Sequence, residues 1–134
     1  MKIKFRSEYN QSGQDQITEF EADANYLKQK IKHLFDNEEF EYDIYEFKDP
    51  QSNKLTRIEL NPLSVNVISD NATLQLRLNK YHSGSQLNLN KNKFVLKTFM
   101  NECFIKEQQA SFSYELFSVV DQPMGRFKVF IEYK

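Results

Sequence analysis

Leu63-Ser64-Val65-Asn66-Val67, Leu74-Gln75-Leu76-Arg77-Leu78 and Phe127-Lys128-Val129-Phe130-Ile131 place an apolar residue at every second position. A strand points successive side chains to opposite faces, so this period describes a sheet with one dry face and one wet face. The pattern recurs along most of the chain. The expectation is an all-β domain with one short helix: an antiparallel up-and-down barrel of about eight to ten strands, closed around one core.

The flanking segments extend the pattern. Lys2 to Tyr9 alternates, and Ile17 to Ala22 answers it across a turn at Ser12-Gly13, so residues 2–22 predict a hairpin. Phe40–Phe47, Leu55–Leu60, Leu63–Ser69, Thr73–Lys80 and Gln86–Asn90 read as strands. Phe94–Ile105 is long enough to kink near Met100-Asn101, and Ser111–Val119 with Arg126–Tyr133 makes the last hairpin. Asn61-Pro62, Asp70-Asn71 and His82 to Ser85 read as turns, as does Asp49-Pro50-Gln51-Ser52-Asn53. Residues 24–35 break the period. Leu27, Ile31, Leu34 and Phe35 recur at helical spacing, which predicts one short amphipathic helix packed on a barrel end or edge.

A meander with turns every eight to twelve residues leaves exposed edges unless it closes, and closure into a barrel removes them. The 134 residues form one domain, 1–134, large enough for a core without metal or disulfide support. Twelve Phe and seven Tyr, with no Trp, supply bulky residues suited to pleated surfaces. Cys103 is the single cysteine, so there is no disulfide framework. No apolar run approaches spanning length and no signal segment opens the chain, which makes cytoplasmic residence the expectation. In that setting the acceptor patterns at Asn10 and Asn71 are turn residues. Abundant Asn, Lys, Phe and Ile suggest an AT-rich bacterial genome.

The closing strands carry a family likeness. Leu96-Lys97-Thr98, Ala110 to Leu116 and Gly125 to Tyr133, with Ile3 to Ser7 and Ile17 to Phe20 at the front, resemble the YwiB-like family of uncharacterised bacterial calycin-like β-barrels. The resemblance implies a calycin- or lipocalin-like barrel and assigns no chemistry, since a fold does not fix a function. Two features depart from that family: Leu87 to Asn92 lacks the Gly-containing turn, and residues 24–36 are extra.

No catalytic motif emerges. His82 beside Ser83 and Ser85 lacks an elbow motif or an identifiable triad carboxylate, and reads as a turn residue. Cys103, between Glu102 and Phe104, reads as a packed strand thiol. Asp36, Glu38, Glu39, Glu41 and Asp43 form an acidic run. Glu39, Glu41 and Asp43 would share a solvated strand face, with Phe40, Tyr42 and Ile44 inward, and an extended strand cannot wrap a cation. No metal and no cofactor is expected.

Two constellations remain. Phe5, Phe20, Tyr42, Phe112, Tyr114, Phe127 and Tyr133 fall on inward positions, where they fill a core or line a pocket for one small ligand. Lys80, Lys91, Lys93, Lys97, Arg126 and Lys128, with Phe99 and Phe130, would make a basic-aromatic surface if they gather. Residues 61–134 hold 9 basic against 6 acidic side chains, yet the whole chain carries a net charge of -1, which argues against a dedicated nucleic-acid binder. The sequence therefore reads as a non-enzymatic binding protein, holding a small apolar or amphipathic ligand or a protein partner. The alternative is a binder of single-stranded nucleic acid or an anionic surface.

Overall fold

The structure is a computed structural model that describes residues 1–134 except Ser12, Phe35 and Lys134, and the side chains of Gln11 and Leu89. Ten strands run in chain order: β1 (Lys2–Gln11), β2 (Gln14–Ile31), β3 (Phe40–Lys48), β4 (Leu55–Asn61), β5 (Ser64–Ser69), β6 (Ala72–Arg77), β7 (Tyr81–Leu89), β8 (Asn92–Lys106), β9 (Gln109–Phe117) and β10 (Pro123–Tyr133). Each pairs antiparallel with its sequence neighbours, and β1 pairs with β10, so the sheet closes into a barrel without a free edge.

Turn chemistry accounts for the tight corners. Asn53 sits at φ 59°, and the Asp49 carboxylate accepts a bond from the Gln51 amide at 2.8 Å. Asn90 and Lys91, at φ 49° and 68°, make the two-residue corner between β7 and β8, where a turn of this hand matches the strand twist. β8 changes register between Met100 and Glu102, where the sequence predicted a kink. β7 is continuous through His82 and Ser85, with an irregularity between them instead of the expected turn.

The expected helix does not form. Residues 24–31 continue β2, with Leu27 opposite Ile44 and Ile31 opposite Phe40. The physical reason is an ambiguity of spacing. Two residues four apart share a face in a helix and also in a strand. Leu27 and Ile31 fit both, and the ladder to β3 decides. Leu27 and Leu34, expected to be buried, are 39% and 75% exposed. The proposed burial of Phe35 lies outside the described residues.

The core occupies the barrel interior. Ile3, Tyr45, Phe47, Ile58, Leu60, Val65, Leu76, Met100, Phe112, Val129 and Ile131 form one buried cluster, with Phe5, Phe20, Leu116, Phe127 and Tyr133 packed against it. Each fully buried aliphatic contributes roughly 1.5–3 kcal/mol. Phe112 and Tyr114 are buried, while Ser113 and Glu115 between them face outward, as their alternation predicts. Rings meet across strands: Phe5 and Phe20 stack at 5.0 Å, Tyr45 and Tyr133 at 4.6 Å, and Tyr114 and Phe127 at 5.0 Å with planes 7° apart.

Candidate binding surfaces on the outer wall

Register places Ile44 opposite Glu59, Glu59 opposite Asn66 and Asn66 opposite Gln75, so all four share one face of β3–β6. That face is the one opposite Tyr45, Ile58, Val67 and Leu74, which pack into the core, and is therefore the outer wall. It ought to be wet. Instead Tyr42, Ile44, Ser64 and Asn66 are 0% exposed, and Glu59 is 1% exposed.

The side chains supply the reason. Residues 32–39 link β2 to β3 in sequence, and two of the described ones, His33 and Asp36, reach side chains of this wall. His33 Nε2 lies 2.6 Å from Glu59 Oε1. Glu59 also accepts bonds from Arg57 Nε at 2.8 Å and Asn66 Nδ2 at 3.1 Å. Arg57 continues to Glu46 at 2.9 Å. A second pair stands beside the first: Arg77 donates Nε and a terminal nitrogen to the two oxygens of Asp36, each at 2.9 Å, and its other terminal nitrogen to Asn66 Oδ1 at 2.9 Å. Tyr42 and Ser64 share a bond of 2.6 Å beneath the segment. Buried charges persist only when paired and hydrogen-bonded, and Glu59 and Arg77 meet that condition.

A cleft of about 290 Å³ opens beside Asp36 and Arg77, lined also by Glu38, Phe40, Lys80, Tyr81 and His82. Burial first, and then the Arg77 charge, hold the His82 imidazole below its ordinary pKa. Its Nδ1 accepts the Gly84 amide at 3.0 Å.

A second surface crosses the opposite strands. Ile17, Glu8, Lys128, Ser113 and Glu102 form one outward row over β2–β1–β10–β9–β8, and Asp15, Asn10, Arg126 and Glu115 form the next. Between the rows lie Gln16, Tyr9, Phe127 and Tyr114, whose side chains alternate inward, so the strand backbone is the floor. This groove encloses about 590 Å³ and is open to solvent. Rows two residues apart are about 7 Å from each other, and five strands span about 19 Å. Two cations on β10 stand at its centre, with carboxylates on both sides.

The expected interior residues divide. Phe5, Phe20, Phe112, Tyr114, Phe127 and Tyr133 belong to the inner face and pack on neighbouring rings. Tyr42 does not join them; it lies on the outer wall, because it shares parity with Ile44 and opposes Tyr45. The expected inward placement of Phe40, Tyr42 and Ile44 is corrected accordingly.

The six basic residues do not gather into one stripe. Lys80 edges the cleft. Lys91 and Lys93 stand at the β7–β8 corner. Lys97 lies 5.4 Å from the centre of the Tyr81 ring and pairs with Asp121. Arg126 pairs with Glu115 at 3.6 Å, and Lys128 covers the Phe130 ring at 5.1 Å.

Nor does the acidic run act as a unit. Asp36 is drawn onto the outer wall by Arg77, whereas Glu41 and Asp43 lie 3.6 and 3.9 Å from Lys28. Burial pushes the Cys103 thiol up to about 11, the opposite of an activated nucleophile. Among the described residues no cluster of His, Cys, Asp and Glu could hold a metal ion, and no helix is long and apolar enough to cross a membrane.

Sequence reasoning missed Glu59, Asn66, Arg57 and Arg77. They occupy the polar positions of an alternating pattern, which normally face water. The one available signal was the length of the β2–β3 connection, long enough to reach across a wall.

No family model matches the chain. The fold is similar to the crystal structure of the ywiB protein from Bacillus subtilis, with a TM-score of 0.63 over 99% of this chain and 90% of that one, at 14% identity. An uncharacterised protein of Mycoplasmopsis pulmonis (strain UAB CTIP) is 30% identical over 134 residues, 96% of this chain and 95% of its own length. At that identity across nearly the whole of both chains, the protein belongs to one family with the Mycoplasmopsis pulmonis protein.

Proposed function

We propose that this is a non-enzymatic, calycin-like binding protein of the cytoplasm that works on its outer wall and recognises an extended segment of a protein partner. The observation that carries the reading is the contrast between the two faces of β1, β9 and β10. Their inner residues stack ring on ring, while their outer residues frame a groove of about 590 Å³. Small-molecule sites enclose most of their ligand in largely apolar walls. This groove is open and bordered by Glu8, Asp15, Glu102, Glu115, Arg126 and Lys128, which suits a charge-patterned chain in extended form.

The test is co-purification from the source cells with the tagged protein. A partner held by wild type and by Lys91→Glu/Lys93→Glu, and lost with Arg126→Glu/Lys128→Glu, supports the reading. Loss in both variants, or in neither, overturns it. Saturable uptake of an apolar fluorescent probe would favour a ligand inside the barrel. Oligonucleotide binding that vanishes in the Lys91/Lys93 variant would favour a nucleic-acid binder, whose affinity falls steeply with salt.

A further inference from the structure

We propose that the cleft beside Arg77 is a binding site for a small carboxylate ligand, and that Asp36 occupies its anchoring position as an internal stand-in. Arg77 is 5% exposed, fixed on the sheet by Asn66 Oδ1 and by the Leu76 carbonyl at 2.9 Å each. A guanidinium so placed presents its remaining edge in one direction. In that direction it meets both oxygens of Asp36 in a fork geometry, the arrangement by which arginine recognises any carboxylate.

Asp36 is supplied by a connection instead of a strand. Among the described residues of this connection none belongs to a strand ladder, the Asp36 amide bonds within the connection to the His33 carbonyl, and Leu34 is 75% exposed. The pair is therefore held to the wall by side-chain contacts that a competing anion can replace.

The cleft itself supplies the second, independent observation. Its volume of about 290 Å³ opens directly on the Asp36–Arg77 pair, with Lys80 at its edge and His82 on its wall. A ligand carboxylate entering there would take the Arg77 edge. A second acidic group on the same ligand would lie toward Lys80. The group that fills the Arg77 fork in this structure is itself a carboxylate, so a carboxylate is the ligand class that the geometry points to, with phosphate as its comparator.

The experiment is a titration of the whole protein with succinate, followed through the Asn66 side-chain amide resonances, with sodium chloride at matched ionic strength and inorganic phosphate as comparators. Wild type should show weak saturable shifts with succinate. Asp36→Asn keeps the shape of the stand-in but removes its charge, and should bind succinate at least tenfold more tightly. Succinate should also raise the thermal midpoint of Asp36→Asn more than that of wild type. Phosphate binding more tightly than succinate would overturn the carboxylate assignment. If succinate shifts the resonances no more than chloride does in wild type, and does not stabilise Asp36→Asn, there is no anion site here. The wild-type arm keeps the proposal falsifiable should Asp36→Asn fold poorly.

Discussion

His33 Nε2 approaches Glu59 Oε1 to 2.6 Å across 26 residues of sequence, and with that contact the β2–β3 connection is fastened to the outer wall of the barrel. Glu59 is the hub of the arrangement. It is 1% exposed and gathers His33, Arg57 and Asn66 around one carboxylate. Such a pair adds little over an apolar substitute, but removing the partners of Glu59 would strand its buried charge.

Glu59→Ala should destabilise the protein by about 1–3 kcal/mol, because the buried Asn66 amide loses its acceptor and Arg57 and His33 lose a shared one. Urea unfolding measures it. A loss below about 1 kcal/mol would mean that water reaches the wall and the network is solvated.

Position in the barrel, not hydrophobicity, should rank the apolar truncations. Leu76, 0% exposed, should cost about 2–5 kcal/mol when replaced by Ala. Leu34, 75% exposed, should cost less than about 0.5 kcal/mol. Equal losses at the two sites would restore the amphipathic helix that the spacing of Leu27, Ile31 and Leu34 suggests.

Acid should weaken the fold through His82. Its folded pKa lies below the unfolded value, so the unfolded chain binds the proton more readily. The contribution is intact above the unfolded value of about 6.5 and is lost as pH falls below it. Thermal midpoints measured from pH 8 to pH 5 should fall less in His82→Gln than in wild type. Parallel curves for the two proteins would remove His82 as a cause.

Lys91 adopts φ 68° at the corner of β7 and β8, a conformation that suits glycine better than a side chain bearing Cβ. Lys91→Gly should stabilise by up to about 1 kcal/mol, read from the urea midpoint at constant slope. Destabilisation would show that the lysine side chain makes a contact that offsets its backbone conformation.

Much of the barrel was legible because alternation is a local property. Val65, Leu76, Phe112 and Val129 each declare their face relative to the residues beside them, and a meander with nowhere to hide its edges must close. The strands at the C-terminal end and the kink in β8 followed from that. Residues 24–31 were not legible, since Leu27 and Ile31 satisfy helical and extended spacing equally and only β3, lying alongside, chooses between them.

The outer wall was hidden for a different reason. Glu59, Asn66 and Arg77 have the polarity of water-facing residues, and nothing local distinguishes them from Glu115 or Lys128, which do border solvent. What separates them is the β2–β3 connection, from which His33 reaches Glu59 and Asp36 reaches Arg77 over separations of 26 and 41 residues. Sequence determined which side chains leave the core. Tertiary structure alone decided which of those are covered again, because burial on an outer wall depends on a distant segment and not on the period of the strand itself.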